Sequence, residues 1–200
     1  MKINCNYLLV ATTGLCLALV LSACSDKIDS EHYRKWVQDY ENGLHAKRVY
    51  GGYTFDIQYM PEDYLRLQRN ESNTTPSSVK KRTRDNSLQY YKLTISSENK
   101  DKELISSAVN NVKEKQRRLY YFSYSFQNDI YLEVNKTKVP CVLYHFEKAS
   151  GLMPGRTFLL GFEEEITPGK DAVVVIESSV FGSLPIKIRI SKDNIPTLQL

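Results

Sequence analysis

A serine and a lysine at a catalytic spacing are the first residues to consider for chemistry. Ser77 and Lys80 stand three positions apart, the spacing at which a lysine one helical turn away activates a serine nucleophile. That chemistry needs a rigid helix start, whereas residues 70–87 are dominated by polar and charged side chains. The companion motifs S-D-N and K-T-G do not occur in the sequence. We therefore interpret the match as coincidence.

The other residues that could do chemistry are scattered. His32, His45 and His145 show no metal-ligand spacing with one another. Cys141 lies in an apolar stretch and is predicted to be a buried small hydrophobe. His145 is placed two strand steps from it on the same face. We expect no catalytic residue, no metal and no cofactor, so the sequence does not predict an enzyme.

The N-terminus has the parts of an export signal. Lys2 provides a positive start, residues 7–21 form a short apolar run, and Ser22 and Ala23 are the small residues of a cleavage site. A membrane-spanning helix needs about 20 strongly apolar residues, and polar residues interrupt this run. We therefore favour a cleaved signal peptide over the alternative, an uncleaved N-terminal membrane helix.

The segment 21–24 (LSAC) resembles the lipobox of bacterial lipoproteins in position, in order and in the apolar run before it. The resemblance implies acyl chains on Cys24 that hold the protein at a membrane of the cell envelope. Several chains together anchor stably, at about 0.8 kcal/mol per buried methylene. It also implies the outer membrane, because Ser25 stands where an aspartate would retain the protein in the inner membrane. The segment 25–29, with Asp26 and Asp29, resembles the surface-export signals of Bacteroidetes lipoproteins. In general type the chain resembles small Bacteroidetes lipoproteins of unassigned function.

These assignments divide the chain into three parts. Residues 1–23 are predicted to be a signal peptide that is removed, residues 24–29 a lipidated tether, and residues 30–200 a single domain long enough to bury a core. The two cysteines of the signal leave with it. Cys141 then has no disulfide partner once Cys24 is lipidated, so packing must supply the stability.

The charge balance is mild. The net charge is +4 for the chain as written and about +3 after cleavage, because the signal carries Lys2 and no acid. Nucleic-acid binding usually needs a concentrated basic face, so we expect no nucleic-acid partner. The segment 70–87 is predicted to be a polar flexible loop with a basic group: Lys80, Lys81, Arg82 and Arg84. We interpret this group as solvated, and contact with anionic lipid or polysaccharide is the alternative.

Tyrosine is enriched, with 14 residues, and its rigid amphipathic ring suits contacts with proteins and sugars. Tyr121, Tyr131 and Tyr144 are candidates for an exposed binding face, because their strand neighbours on that face are more polar. Four other tyrosines alternate with apolar residues and are predicted to be mostly core: Tyr59, Tyr90, Tyr120 and Tyr124.

Three helices are predicted to position these residues, at 30–42, 61–69 and about 101–119. The first carries an apolar stripe that packs on the core: Tyr33, Trp36, Val37, Tyr40 and Leu44. The third has a stronger apolar face: Leu104, Ile105, Ala108, Val109, Val112 and Leu119. Cations near its C-terminal end suit the helix dipole.

Apolar and polar residues alternate through most of the remaining chain, which predicts strands. The predicted strands are residues 53–59, 88–96, 120–127, 130–134, 139–146, 157–163, 172–177 and 186–190. The continuous apolar run 173–176 indicates a central strand. The sequence therefore predicts an α+β, β-rich fold: an antiparallel sandwich or a strongly curved sheet with two to three helices packed on it.

Two functions fit these features. We expect a non-catalytic accessory or assembly component of the envelope, tethered to the membrane through Cys24 and acting through protein contacts. The alternative is a glycan- or polyanion-binding module that uses exposed tyrosines or the basic residues 80–84.

Overall fold

Segments in which apolar and polar residues alternate form one curved antiparallel sheet. The computed structural model describes residues 27–72, 88–99, 103–106, 109, 111–147, 155–163 and 171–199. The strands are β1 (Lys27–Ile28), β2 (His45–Tyr50), β3 (Tyr53–Met60), β4 (Leu88–Ser97), β5 (Ile130–Val134), β6 (Thr137–Phe146), β7 (Gly155–Glu163), β8 (Ala172–Ile176), β9 (Ile186–Ile190) and β10 (Thr197–Leu198). In this part of the chain, eight strands form an antiparallel sheet of order β2-β3-β4-β7-β6-β5-β8-β9.

The sheet curls until its two edge strands approach each other. On β2, Arg48 Nη1 donates a hydrogen bond to the carbonyl oxygen of Lys187 on β9 at 2.6 Å. Beyond β9, the Ser191 N–H donates to the carbonyl oxygen of Gly43 at 3.0 Å. The sheet is therefore nearly closed and strongly curved, as strand twist and tilt allow. We call this nearly closed sheet the barrel. The predicted fold class is confirmed, with the curved sheet rather than the sandwich.

Large apolar side chains fill the inside of the curve. Phe55 on β3, Leu93 on β4 and Phe158 on β7 are fully buried there. Phe122 and Phe126 enter the same cluster from the segment before β5. Burying a side chain of this size contributes about 1.5–3 kcal/mol. We call this cluster the main core.

A second cluster lies on the outer face of the sheet, beneath α1 (Ser30–Gln38) and α2 (Glu62–Ser72). Tyr90 packs against it, whereas the next residue, Tyr91, belongs to the main core, because successive strand residues point to opposite faces. The buried members are Tyr33, Val37, Leu44, Met60, Tyr64, Leu67 and Leu198. Strand β1, the first described element, pairs in parallel with β10 beside this cluster.

The third helix is shorter than the predicted helix 101–119. The helix α3 (Val112–Tyr120) begins after Asn111, whose side chain accepts a hydrogen bond from a backbone N–H of the first turn at 2.9 Å. Leu104 and Ile105 instead lie in a turn and are buried in the main core. The predicted continuous apolar face is therefore wrong, because an asparagine cap separates its buried part from its exposed part.

Residues 120–127 are helical, so the predicted strand is wrong. A π-helical turn (Tyr121–Ser125) follows α3 and leads into a 3₁₀ turn (Phe126–Asp129). Phe122 and Phe126, four residues apart, both point into the main core. Aromatic residues at every second position fit a strand face and also the four-residue spacing of a helix. The helical conformation therefore buries both phenylalanines, as the predicted strand would have done.

Most of the other predicted elements are confirmed. The helix α1 with a 3₁₀ turn (Tyr40–Asn42) covers the predicted helix 30–42. The remaining predicted strands match β3 to β9, and β8 is central, between β5 and β9. Strand β2 was not predicted, although Gly51-Gly52 before β3 is a two-residue hairpin signal.

The helix α2 continues to Ser72, so the first three residues of the predicted polar loop 70–87 are helical. The rest of that segment, with Lys80, Lys81, Arg82, Arg84 and Ser77, lies outside the described residues, as does Cys24. Among the helices that the structure describes, none has the length and apolar character needed to cross a membrane.

Candidate functional site

Exposed apolar side chains concentrate on α3 and the π-helical turn after it. Of the eight large hydrophobic side chains exposed among the described residues, four lie between positions 112 and 124. Val112 is 73% exposed, Leu119 45%, Tyr120 64% and Tyr124 68%. A single exposed apolar side chain is ordinary, whereas several together are typical of an interaction surface. We call these four residues, with Lys113, Lys115 and Arg117, the α3 surface.

The main core holds this surface in place from below. Phe122 and Phe126 point inward, so Tyr120 and Tyr124, two positions before each of them, point outward. The two tyrosine rings lie 5.1 Å apart at an interplanar angle of 47°. Beneath them, Arg118 Nη2 donates a hydrogen bond to the Tyr53 hydroxyl at 2.8 Å. The helix thus rests on the barrel through its phenylalanine and arginine side.

The charge of this segment is strongly positive. Residues 112–124 contain four cations and one carboxylate, that of Glu114. Lys113, Lys115 and Arg117 are exposed, so three cations flank the tyrosines and aliphatic side chains. Exposed charges of one sign raise the local concentration of oppositely charged partners.

The three tyrosines predicted to form an exposed face are buried or partly buried, and each hydroxyl makes a hydrogen bond within the protein. Tyr131 is 9% exposed, and its hydroxyl donates to Glu177 Oε1 at 2.7 Å. Burial, then the Glu177 carboxylate, raises the pKa of Tyr131 to about 12. The expected exposure of Tyr131 is therefore wrong; Lys138 Nζ lies over its ring, 3.6 Å from the centroid.

Tyr121 and Tyr144 are partly buried against the main core. The Tyr121 hydroxyl donates to Asp129 and lies 2.5 Å from Ser178 Oγ. The Tyr144 hydroxyl donates to the carbonyl oxygen of Phe122. Burial raises the pKa of both phenols. These two tyrosines fix the helical turn to the barrel and are only partly exposed.

Tyr120 and Tyr124 were predicted to be mostly core, and that prediction is wrong. Their spacing of four residues, together with Lys113 and Arg117 at the same spacing, was the signal for a shared helical face. The other two tyrosines of that group, Tyr59 and Tyr90, are partly buried and pack on the core clusters.

A histidine–aspartate pair lies on the outside of β2 and β3. His45 Nε2 is 2.5 Å from Asp56 Oδ1, and His45 Nδ1 is 3.0 Å from the carbonyl oxygen of Gln38. A hydrogen-bond acceptor thus lies beside each of the two ring nitrogens. The Tyr40 ring stacks on the imidazole at 3.8 Å and its hydroxyl donates to Asp56 Oδ2 at 2.6 Å. This pair ties the C-terminal end of α1 to the sheet.

Acid should weaken this tie. Burial raises the pKa of Asp56, but hydrogen bonds from His45 and Tyr40 outweigh it and hold the pKa below its usual 3.8. The folded protein therefore binds fewer protons here than the unfolded chain, so the stabilisation is present above about pH 4 and is lost as the pH falls through the lowered pKa. We expect Asp56→Asn to lower the free energy of unfolding by about 1–3 kcal/mol at pH 7.

Urea unfolding at pH 7, 5 and 3 measures this effect. The Asp56→Asn protein should lose less stability between pH 5 and pH 3 than the natural chain does. The exposed Glu98→Gln variant serves as the control and should follow the natural chain. Parallel pH curves for Asp56→Asn and the natural chain would show that the pair contributes no pH-dependent stability.

Cys141 is buried as predicted, but His145 is not beside it. Burial raises the pKa of the Cys141 thiol to about 11, which makes the thiol a poor nucleophile. A β-bulge between Cys141 and Leu143 shifts the register of β6. His145 is therefore exposed, and the expected common face is wrong.

Two further acidic side chains, Asp171 and Glu133, are paired with cations. Asp171 Oδ2 is 2.8 Å from Arg189 Nη2, and Glu133 Oε2 is 2.9 Å from Lys187 Nζ. In the described ranges, no three histidine, cysteine or acidic side chains are grouped so that they could hold a metal ion.

Comparisons with known proteins give no information about the α3 surface. A scan against protein-family models and searches of curated proteins and solved structures find no match to this chain. The best-developed candidate site is therefore the α3 surface, with exposed tyrosine and aliphatic side chains, flanking cations and a rigid support.

Proposed function

We propose that the chain is a lipoprotein tethered to the envelope through Cys24, and that it is a non-catalytic accessory component acting through protein contacts on the α3 surface. The observation that carries the contact function is the clustering of four exposed apolar side chains on one helical segment. The LSAC segment at positions 21–24 supports the tether.

The filled interior supports a function carried by the outside of the barrel. A barrel of eight strands is just wide enough either to be filled by side chains or to hold one small ligand. Here the fully buried rings of Phe55, Phe122, Phe126 and Phe158 occupy the inside. A partner is therefore expected to bind the surface of the barrel.

The described strands and helices all follow Cys24 in the sequence, which is compatible with a lipid tether. All ten strands and three helices named above lie between residues 27 and 199, so an acylated Cys24 leaves both core clusters intact. We propose the outer membrane as the location, because Ser25 follows the cysteine.

Replacing Cys24 should release the protein from the membrane. In a bacterial host fed a radiolabelled fatty acid, we expect Cys24→Ala to lose the label and to leave the membrane fraction, because no other residue of the tether accepts the acyl chains. The Cys141→Ala variant serves as the control and should keep both. A labelled, membrane-bound Cys24→Ala protein would contradict the tether.

Binding of a glycan or other polyanion is the second candidate function. Tyr120 and Tyr124 are exposed among cations, which favours binding of a polyanion. These are not the tyrosines that the sequence predicted for a binding face. The basic residues 80–84 remain part of this proposal. The probes described below separate the two functions.

A further inference from the structure

We infer that the α3 surface binds an acidic protein surface whose centre carries apolar side chains. This inference rests on the proposed contact function and deepens it by naming the chemistry of the partner. Four observations support it: the charge of the surface, its side-chain types, its position relative to the start of the described chain, and its rigid support.

The charge indicates an acidic partner. Lys113, Lys115 and Arg117 are exposed around the apolar side chains, and Glu114 is the single carboxylate of this segment. Complementary charge steers association and excludes partners of the same sign. A carboxylate-rich rim on the partner would face these three cations.

The side-chain types favour a protein over a sugar. Val112 and Leu119 extend the exposed surface with aliphatic groups, and protein interfaces bury such groups at their centre inside a polar rim. The Tyr120 and Tyr124 rings are inclined by 47°, so they do not form one flat platform for a chain of sugar rings. Tyrosine and arginine are also the residues that most often dominate the binding energy between proteins.

The position of the surface separates it from the tether. Arg118 at the end of α3 contacts Tyr53, the first residue of β3. The start of the described chain packs on the outer cluster with Met60, the last residue of β3. Seven residue steps of strand span about 23 Å, and the three steps from Cys24 to Lys27 reach at most about 11 Å. The α3 surface and the strand that follows the proposed tether therefore lie near opposite ends of β3.

The support of the surface favours binding without rearrangement. The same helical segment that exposes Tyr120 and Tyr124 buries Phe122 and Phe126 in the main core. A contact surface that is already ordered loses little conformational entropy on binding. The partner thus meets a preformed convex surface.

A glutamate–tyrosine copolymer is the probe for this inference. The test protein begins at Ser25, which keeps all the strands and helices that the structure describes and removes the proposed acylation site. We expect fluorescently labelled copolymer to bind it more tightly than polyglutamate of the same length, because the copolymer adds apolar groups to the acid. Binding should weaken steadily between 50 and 500 mM salt as the charges are screened.

Paired variants assign the binding to the α3 surface. We expect Tyr120→Ser/Tyr124→Ser and Lys113→Glu/Arg117→Glu each to weaken copolymer binding about tenfold or more. The controls Val49→Ser/Leu184→Ser and Lys92→Glu/Lys136→Glu change exposed residues elsewhere and should change binding less than about twofold. Circular dichroism verifies that every variant is folded.

Three results would overturn the inference. The first is no binding of the copolymer, or binding that all four variants leave unchanged. The second is tighter binding of polygalacturonate than of the copolymer, which would assign the surface to acidic polysaccharide. The third is α3-dependent binding to vesicles of phosphatidylglycerol and phosphatidylcholine, which would assign it to a membrane. Because the test protein lacks Cys24, none of these results depends on whether the tether exists.

Discussion

Replacing Phe126 by alanine should lower the free energy of unfolding by about 3–5 kcal/mol. Phe126 is fully buried, and its ring centroid lies 5.2 Å from that of Phe122 and 5.3 Å from that of Phe158. Removing the ring deletes these contacts and leaves a cavity, because the surrounding aromatic rings are rigid and cannot close around alanine. Urea unfolding followed by circular dichroism measures the loss.

Tyr124→Ala is the matched control for this variant. It removes a similar ring from the same helical segment, but Tyr124 is 68% exposed. We expect a change within about 0.5 kcal/mol. A strand over 120–127 would place Tyr124 and Phe126 on one face, so equal losses from the two variants would support the strand and contradict the helical turn.

Gly51→Ala should lower the free energy of unfolding by about 2–4 kcal/mol, through backbone strain and a steric clash together. Gly51 has φ +60°, and an added Cβ would lie 2.6 Å from the carbonyl oxygen of Phe181. That oxygen belongs to the backbone, so it cannot rotate away. The segment would have to move, although the Phe181 ring packs on Tyr53 and Phe55 at centroid distances of 5.1 and 4.9 Å.

Gly52→Ala separates the two causes. Gly52 also has a positive φ, +79°, but an added Cβ would meet no atom within 4 Å. Only the backbone strain of about 1–2 kcal/mol then applies. Thermal and urea unfolding of both variants give the difference, which measures the contact with Phe181. Equal losses would show that the clash is relieved without loss of stability.

Strands were predictable where one face is buried for the whole length of the strand. β3, β4 and β9 alternate in this way, and the structure buries the predicted faces. The strand order was not predictable. β4 pairs with β7, and β6 joins β7 across a bulge between Cys141 and Leu143. Such long-range pairings depend on how the whole sheet curves and leave no local signature.

The candidate site was predictable only in part. The cations of α3 were recognised and explained by the helix dipole, but the exposed side chains around them were expected to be core. Tyr120 and Tyr124 were assigned to a buried strand face because alternation was the stronger local pattern. Tyr121, Tyr131 and Tyr144 were expected to be exposed, yet their hydroxyls bind Asp129, Glu177 and a backbone carbonyl.

The amino-acid sequence by itself determined the β-rich class, most of the strands and the first helix, because each follows from a repeat of apolar residues within one segment. It also predicts the tether at Cys24, which depends on a short motif. Only the tertiary structure decided which aromatic rings face the solvent. At positions 120–126 the same residues fit two periodicities, and the side that becomes buried depends on space inside a barrel built from strands far away in the chain.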